Sequence, residues 1–217
     1  MKQAAEQIAK HLLDIQAVIL RPDDPFTWSS GLRAPIYCDN RLTLAYPDIR
    51  KTIAHSFVEL IGQRFGDVDV IAGTATAGIP HAAWVSDALN LPMVYVRGSA
   101  KSHGKQQQIE GKIQLGQKAV VIEDLISTGG SVLSAVKALK EAGVDVVGVA
   151  AIFTYQLQQS KKQFKDAGIE VYTLSDFQTL LSVAGAEGYI DDKQSALLGR
   201  WHDYPENEDW MIEGLAK

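Results

Sequence analysis

The chain of 217 residues is poor in several features that define other protein classes. It has one cysteine, Cys38, so no disulfide can form within one chain, and we expect a cytoplasmic protein. Its net charge of −5 argues against a broad nucleic-acid-binding surface. No apolar run approaches the ~20 residues of a membrane-spanning helix. The mixed polar and apolar start, residues 1–13, is not expected to be a signal peptide.

The most informative stretch runs from Val120 to Ser131. The β-branched segment 119–122 predicts a buried strand, which we expect to end where Glu123 and Asp124 stand. Hydroxyl residues and glycines follow at 127–131, and apolar residues then recur at helical spacing up to Gly143. The pattern predicts a strand, an acidic edge, a Gly-rich loop and a helix.

These residue types suit a phosphorylated sugar. Glycines allow close approach of the backbone, and the first turn of a helix offers unpaired N–H groups to a phosphate. Carboxylates repel phosphate, so their partners would be sugar hydroxyls or a cation. The pattern alone also fits a helix cap with two solvated acids, because Gly-rich loops are common.

The complete string resembles the phosphoribosyl-pyrophosphate (PRPP) binding motif of type I phosphoribosyltransferases. The resemblance implies that the two acids hold the ribose hydroxyls of PRPP and that the loop holds its 5-phosphate. The residues assigned to PRPP on this basis are Glu123, Asp124, Leu125, Ile126, Ser127, Thr128, Gly129, Gly130 and Ser131.

A second strand-to-helix turn lies at Gly73–Gly78, after a predicted strand at 68–72 and before a helix that extends toward Leu89. The glycine spacing imitates a P-loop, but Ile79 and Pro80 stand where that motif needs Lys and Ser or Thr, so a Walker motif is rejected. The turn could be purely structural. In phosphoribosyltransferases the loop at this place holds pyrophosphate, which implies that role for Thr74, Ala75, Thr76, Ala77 and Gly78.

The segment from Gly98 to Gly111 follows a predicted strand at 93–96 and has no apolar periodicity. A polar loop of this length is either a solvated basic loop or a lid that closes over the site. It resembles the catalytic loop of orotate phosphoribosyltransferases. The resemblance implies that Lys101, Arg97 and His103 are catalytic, and that a homodimer shares the loop 97–111 between its subunits.

The segment 25–41 predicts only a hairpin or loop from its composition. Its Phe-Thr, Ser-Gly and Pro-Ile-Tyr pieces resemble the N-terminal hood over the base in orotate phosphoribosyltransferases. Orotate contacts are then expected from Tyr37, Arg33 and Ser127. Better-known bacterial members have Lys at the place of Ser29, a basic residue at Gly98 and an Arg soon after the strand ending at Phe153. The partner of the orotate carboxylate is therefore open between Arg33 and Arg41.

Alternating strands and helices predict an α/β fold with a mostly parallel central sheet, flanked by helices and carrying a small N-terminal hood. We expect a single domain made of a hood (1–45), a core (46–184) and a helical tail (185–217). The tail aromatics Trp201, Tyr204 and Trp210 are expected to pack on the domain or on a partner subunit. The loops after residues 72, 96 and 122 all follow strands, so they should converge at one edge of the sheet.

The resemblance implies transfer of the phosphoribosyl group from PRPP to orotate, with Mg²⁺ held mainly by PRPP rather than by protein ligands, and with neither nucleic acid nor membrane as a partner. Two alternatives are a phosphoribosyltransferase for a purine base and a PRPP-sensing regulator that binds nucleic acid. The first would lack this hood. The second would need a basic surface or an added DNA-binding domain.

Overall fold

The computed structural model describes residues 2–28, 31–98 and 108–211. The chain forms two compact units, one of residues 46–174 and one of residues 1–45 together with 175–217. The division into hood, core and tail stays a prediction. Across the described ranges, no helix is both long and apolar enough to cross a membrane.

The larger unit is built on a six-stranded sheet with the strand order β10-β9-β8-β5-β6-β7. Its strands, in chain order, are β5 (Val70–Thr74), β6 (Met93–Val96), β7 (Ile109–Glu110), β8 (Lys118–Ile126), β9 (Asp145–Thr154) and β10 (Val171–Asp176). Its helices are α2 (Pro47–Arg64), α3 (Gly78–Leu89), α4 (Gly130–Glu141) and α5 (Gln158–Ala167).

Four neighbouring strands of this sheet, β6, β5, β8 and β9, are parallel, and β7 adds an antiparallel edge to β6. Alternate residues of β5 face opposite sides, as in any strand. Val70 and Ala72 belong to the core that α4 covers, whereas Gly73 approaches Ala82 of α3. The sheet is therefore covered on both faces, and the predicted α/β class with a mostly parallel sheet is confirmed.

Strand β8 is longer than the sequence suggested. We expected it to end at Ile122, but it continues through the acidic pair to Ile126. The neighbouring strand β9 extends equally far, so that Glu123 pairs with Ala151 and Ile126 with Thr154. The apolar pattern missed this extension because its acidic residues lie inside the strand.

The smaller unit combines both ends of the chain. Two antiparallel ribbons, β1 with β4 and β2 with β3, lie in its first segment. Trp201 is fully buried and makes an edge contact with Trp28, so the prediction that tail aromatics pack on the protein is confirmed for this residue, whereas Tyr204 is 71% exposed. The elements of the unit are α1 (Lys2–Asp14), β1 (Val18–Leu20), β2 (Phe26–Thr27), β3 (Arg33–Ala34), β4 (Ile36–Cys38), a 3₁₀ helix (Asn40–Ala45), α6 (Phe177–Ala186) and α7 (Asp192–Asp203).

Candidate active site

Three neighbouring strands lead to one edge of the larger unit's sheet. β5 lies between β6 and β8, and all three strands run in the same direction. Thr74 pairs with Val96, so β5 and β6 end together, whereas β8 passes Gly73 at Ile122 and continues to Ile126. The N–H of Ala75 donates to the carbonyl of Val96 at 2.9 Å, which ties the first turn to the end of β6. The three strands therefore lead to the same edge of the sheet, as predicted, whereas the third loop lies largely outside the described residues.

The turn 75–77 leads from β5 into α3. Thr74, at the end of the strand, is buried and donates its hydroxyl to the carbonyl of Ile122 at 3.1 Å, whereas Thr76 is exposed. The peptide between Ala75 and Thr76 is cis. The N-cap residue Ala77 provides no side-chain hydrogen bond. In the first turn of α3 the N–H of Ile79 donates to the carbonyl of Thr76 at 3.3 Å and Pro80 has no N–H, so the N–H of Gly78 is the first-turn donor that could meet an anion.

Gly78, the first residue of α3, is enclosed. A Cβ atom at this position would lie 2.5 Å from the carbonyl oxygen of Ile122 and 2.5 Å from Oγ1 of Thr74. Real Cβ atoms do not approach so closely, so the start of α3 can press against β8 only because the residue is glycine. The close packing fixes the helix end next to the strand that carries the acidic pair.

The turn 127–129 leads from β8 into α4. Gly129 is the N-cap, with a φ of +91°, and it provides no side-chain cap for the helix. Its Cβ position would lie 2.9 Å from the ring of Phe164 on α5. Thr128, Gly130 and Ser131 are exposed, and Ser127 is half-buried. The second turn therefore also presents an uncapped helix start, and here the polar groups face solvent.

The acidic pair lies between these two helix starts along the sheet edge. Glu123 is only 6% exposed, and its Oε1 accepts a hydrogen bond from the N–H of Asp124 at 2.9 Å. Burial, followed by hydrogen bonding to the Asp124 side chain, raises the pKa of Glu123 to about 8. Asp124 is half-buried. Of the two following residues assigned to PRPP, Leu125 is half-buried and Ile126 is buried, so Ile126 belongs to the core.

Arg97 begins the third loop and is held by the neighbouring edge strand. Its N–H donates to the carbonyl of Gln108 at 2.8 Å, and its Nη1 lies 3.7 Å from Oε1 of Glu110. Sequence reasoning missed Glu110, because a two-residue strand gives no periodicity to detect. The predicted catalytic residues Lys101 and His103 lie outside the described residues.

The hood residues belong to the smaller unit. Tyr37 is 41% exposed, and its ring lies 5.5 Å from that of Phe26. The guanidinium of Arg41 donates to both carboxylate oxygens of Asp39, at 2.7 and 2.8 Å, and this lowers the pKa of Asp39. Nε of Arg33 is buried and has no hydrogen-bond partner among the described residues. Arg33 and Arg41, which the sequence left as equal candidates for the orotate carboxylate, therefore differ in their hydrogen bonds.

The acidic pair provides two adjacent carboxylates at this edge. Within residues 2–28, 31–98 and 108–211, no group of three or more His, Cys, Asp or Glu side chains is placed to hold a metal ion. His81, one turn into α3, is buried, and burial lowers its pKa to about 4, so its ring stays neutral near pH 7.

Comparisons with known proteins agree with this arrangement. A model of the phosphoribosyl transferase domain matches residues 44–179. The chain is similar to the orotate phosphoribosyltransferase of Halalkalibacterium halodurans, with 58% identity over 96% of this chain and 99% of that protein. It is similar to the crystal structure of orotate phosphoribosyltransferase from Aeropyrum pernix, with a TM-score of 0.74, 27% identity and coverage of 85% and 99% of the two chains. Similarity to the UMP synthase of Leishmania donovani has a TM-score of 0.76 at 29% identity and covers 92% of this chain but 43% of that one.

Proposed function

Because the chain belongs to the orotate phosphoribosyltransferases of the phosphoribosyl transferase domain family, we propose that it transfers the 5-phosphoribosyl group from PRPP to orotate. The products are orotidine 5′-monophosphate and pyrophosphate, a step of pyrimidine synthesis. One observation supports this most directly: the helices that follow the neighbouring strands β5 and β8 both begin without a side-chain cap, and β8 carries the carboxylate pair. PRPP has a phosphate at one end, a pyrophosphate at the other and two hydroxyls between them, which are the groups such an edge can bind.

The charges at this edge of the sheet determine where each part of PRPP is placed in the proposal. The start of α4, with Ser127–Ser131, takes the 5-phosphate, because a helix N-terminus favours an anion. The acidic pair takes the ribose hydroxyls, which are hydrogen-bond donors. The turn 75–77 and the start of α3 take the pyrophosphate. The substrate then lies across the ends of β8 and β5.

The reaction is displacement at the anomeric carbon. The bond from C1 to the pyrophosphate oxygen breaks and its electron pair leaves with pyrophosphate, while a ring N–H nitrogen of orotate forms the new bond to C1 and its proton passes to a pyrophosphate oxygen or to water. The departing pyrophosphate gains negative charge, so it can itself accept the proton. The larger demand is stabilisation of the leaving pyrophosphate, to which Arg97, Lys101 and His103 contribute positive charge or hydrogen bonds.

Mg²⁺ accompanies PRPP in this proposal. The described residues provide two adjacent carboxylates but no larger ligand cluster, so the ion is held mainly by oxygens of the substrate. When bound, it supplies positive charge that offsets the pyrophosphate. The protein's own contribution is to orient the substrate and to exclude water above it.

We place the protein in the cytoplasm as a homodimer, with the loop 97–111 of each subunit closing the site of its partner. The single cysteine and the negative net charge fit the proposed location and the absence of a nucleic-acid partner. The dimer rests on the likeness of this loop to the catalytic loop of orotate phosphoribosyltransferases.

The direct test of the function is loss of orotate absorbance after addition of PRPP and Mg²⁺ to the purified protein. Lys101→Ala is expected to lower kcat about 100-fold, or about 3 kcal/mol in activation free energy, while PRPP still binds, because this cation contacts pyrophosphate chiefly in the transition state. Lys118→Ala, on an exposed position at the start of β8, serves as the matched control.

The same assay separates the alternatives. Turnover of adenine or hypoxanthine in place of orotate would indicate a phosphoribosyltransferase for purine bases. Binding of PRPP without turnover of any base would indicate a sensor instead of an enzyme.

The orotate carboxylate is assigned to Arg33. Because Arg41 is already paired with Asp39, whereas Nε of Arg33 is unpaired among the described residues, the two variants should differ. Arg33→Ala is expected to raise the KM for orotate about tenfold with little change in that for PRPP, and Arg41→Ala less than about threefold. Steady-state kinetics with each substrate varied in turn decide this, and equal orotate KM values for the two variants would contradict the assignment.

A further inference from the structure

Strands β6 and β7 bring Arg97 and Glu110 together on one face of the sheet. The strands are antiparallel, with Glu110 opposite Tyr95, and two positions further the N–H of Arg97 donates to the carbonyl of Gln108 at 2.8 Å. Alternate residues of a strand share a face, so Arg97 and Glu110 are diagonal neighbours. Val96 belongs to the core that α4 covers, so the two charged side chains lie on the opposite face.

The contact between the two side chains is an attraction of charges. Nη1 of Arg97 lies 3.7 Å from Oε1 of Glu110, which is too long for a hydrogen bond. Nη1 is enclosed and has no hydrogen-bond partner among the described residues, although the Arg97 side chain as a whole is 34% exposed. The exposure therefore belongs to other atoms of Arg97. A guanidinium has five N–H donors, so one nitrogen can face Glu110 while others remain for an anion.

Glu110 is held on a closely packed piece of backbone. The residue before it, Ile109, packs against the core. The residue after it, Gly111, has a φ of +112°, and a Cβ atom there would lie 2.9 Å from Cγ1 of Val94 and 3.2 Å from the carbonyl oxygen of Met93. β7 is thus fixed against β6 on both sides of Glu110, so its carboxylate is presented from a defined position.

Arg97 is fixed at the edge where the proposed pyrophosphate turn lies. The carbonyl of Val96, the residue before it, accepts the N–H of Ala75 at 2.9 Å. Its own carbonyl accepts a hydrogen bond from Nε2 of Gln108 at 3.3 Å. With the backbone of Arg97 held by these bonds, the direction of its guanidinium depends on the side-chain contact with Glu110.

We propose that Glu110 is a positioning residue, whose carboxylate orients the guanidinium of Arg97 toward the leaving pyrophosphate. This inference rests on the proposed function and adds a residue to it. An arginine that is already oriented loses little side-chain freedom when negative charge develops on the pyrophosphate. Loss of Glu110 should therefore affect the rate of the reaction more than the binding of PRPP.

The test is steady-state kinetics of the full-length protein, followed by orotate absorbance with saturating Mg²⁺. Glu110→Ala is expected to lower kcat about tenfold and to leave the KM for PRPP within about twofold of wild type. Glu110→Gln, which removes the charge, should behave like Glu110→Ala. Glu110→Asp keeps the charge on a shorter side chain and should lower kcat only about threefold.

The matched control is Glu141→Ala at the C-terminal end of α4. Glu141 also forms an exposed ion pair, with Lys137 at 3.8 Å, but it lies at the opposite end of the helix from the site. Its kcat is expected to stay within about twofold of wild type. Partly exposed ion pairs contribute little to stability, so thermal unfolding of Glu110→Ala and Glu141→Ala should change by less than about 2 °C.

A double-mutant cycle separates positioning from a structural role in β7. Arg97→Ala alone is expected to lower kcat on the order of 100-fold. Adding Glu110→Ala to it should cause no further loss, because the carboxylate acts through the guanidinium. A further tenfold loss in that background would show that Glu110 acts independently of Arg97 and would overturn the inference.

Three other results would overturn the inference while the proposed function stands: an unchanged kcat in Glu110→Ala, a higher kcat, or a loss confined to KM. A higher kcat would mean that Glu110 competes with pyrophosphate for Arg97. Absence of orotate turnover in wild type would overturn the proposed function and this inference with it. If Glu110→Ala does not fold, Glu110→Asp and Glu110→Gln decide: a higher kcat in the former supports positioning by charge, and equal kcat values overturn it.

Discussion

The turns 75–77 and 127–129 have the same plan but different packing. Both follow parallel strands of one sheet and begin helices whose N-caps provide no side-chain bond. The first turn ends at a buried glycine pressed against β8, while the second ends at exposed Gly130 and Ser131. The difference teaches that two helix starts of the same plan can be fixed differently: the glycine of the first turn packs against β8, whereas the residues that begin α4 are open to solvent.

The largest effect is expected at Gly78. In Gly78→Ala the new methyl group would lie 2.5 Å from the Ile122 carbonyl oxygen, so the start of α3 must move away from β8. We expect a loss of about 3 kcal/mol in the free energy of unfolding and a fall of about 100-fold in kcat/KM for PRPP. Thermal unfolding and kinetics measure the two quantities.

The matched control for this variant is Gly62→Ala in α2, where, among the described residues, no atom apart from the adjoining helix backbone lies within 4 Å of the added methyl group. That change should leave activity intact and stabilise the protein by up to about 1 kcal/mol. If the two alanine variants had equal stability and equal activity, the close packing of Gly78 against β8 would not be what positions the first turn.

A smaller effect is expected at Gly129. Alanine there must adopt a φ of +91° and would contact the Phe164 ring at 2.9 Å, so we expect the KM for PRPP to rise about tenfold. Gly168→Ala, with a φ of +61° and open space, measures the backbone part alone.

The ring contribution can be tested directly by adding Phe164→Leu to Gly129→Ala. The smaller side chain should restore part of the PRPP affinity, in a double-mutant cycle. If the PRPP affinity does not recover, contact with the Phe164 ring is not the reason why Gly129→Ala weakens binding.

Much of this site could be predicted from local pattern. The strand Met93–Val96 was predicted with the bounds that the structure has. The helix after the turn Gly73–Gly78 was predicted to extend toward Leu89, where it ends. The convergence of three loops followed from the parallel sheet alone. The family resemblance assigned their ligands, which no periodicity could do.

What pattern could not predict depends on contacts distant in sequence. The extension of β8 to Ile126 needs β9 as its partner, and the pairing of Arg97 with Glu110 needs the edge strand β7. Likewise, Arg33 and Arg41 carry the same charge, so the sequence could not distinguish them. Their different hydrogen bonds are visible only in the folded structure. The burial of Glu123 is a property of the folded sheet, because in sequence it is simply one of two adjacent acids.

The central claim is that the two turns hold opposite ends of one substrate, and inhibition by its two halves tests it most directly. Thr76 and Thr128 are the exposed hydroxyl residues of the two turns, and losing either bond to a phosphate should cost about fivefold in affinity. Thr76→Ala is predicted to weaken inhibition by pyrophosphate and to leave ribose 5-phosphate within about twofold of wild type. Thr128→Ala is predicted to do the reverse. Weaker inhibition by the same half-substrate in both variants would contradict the account.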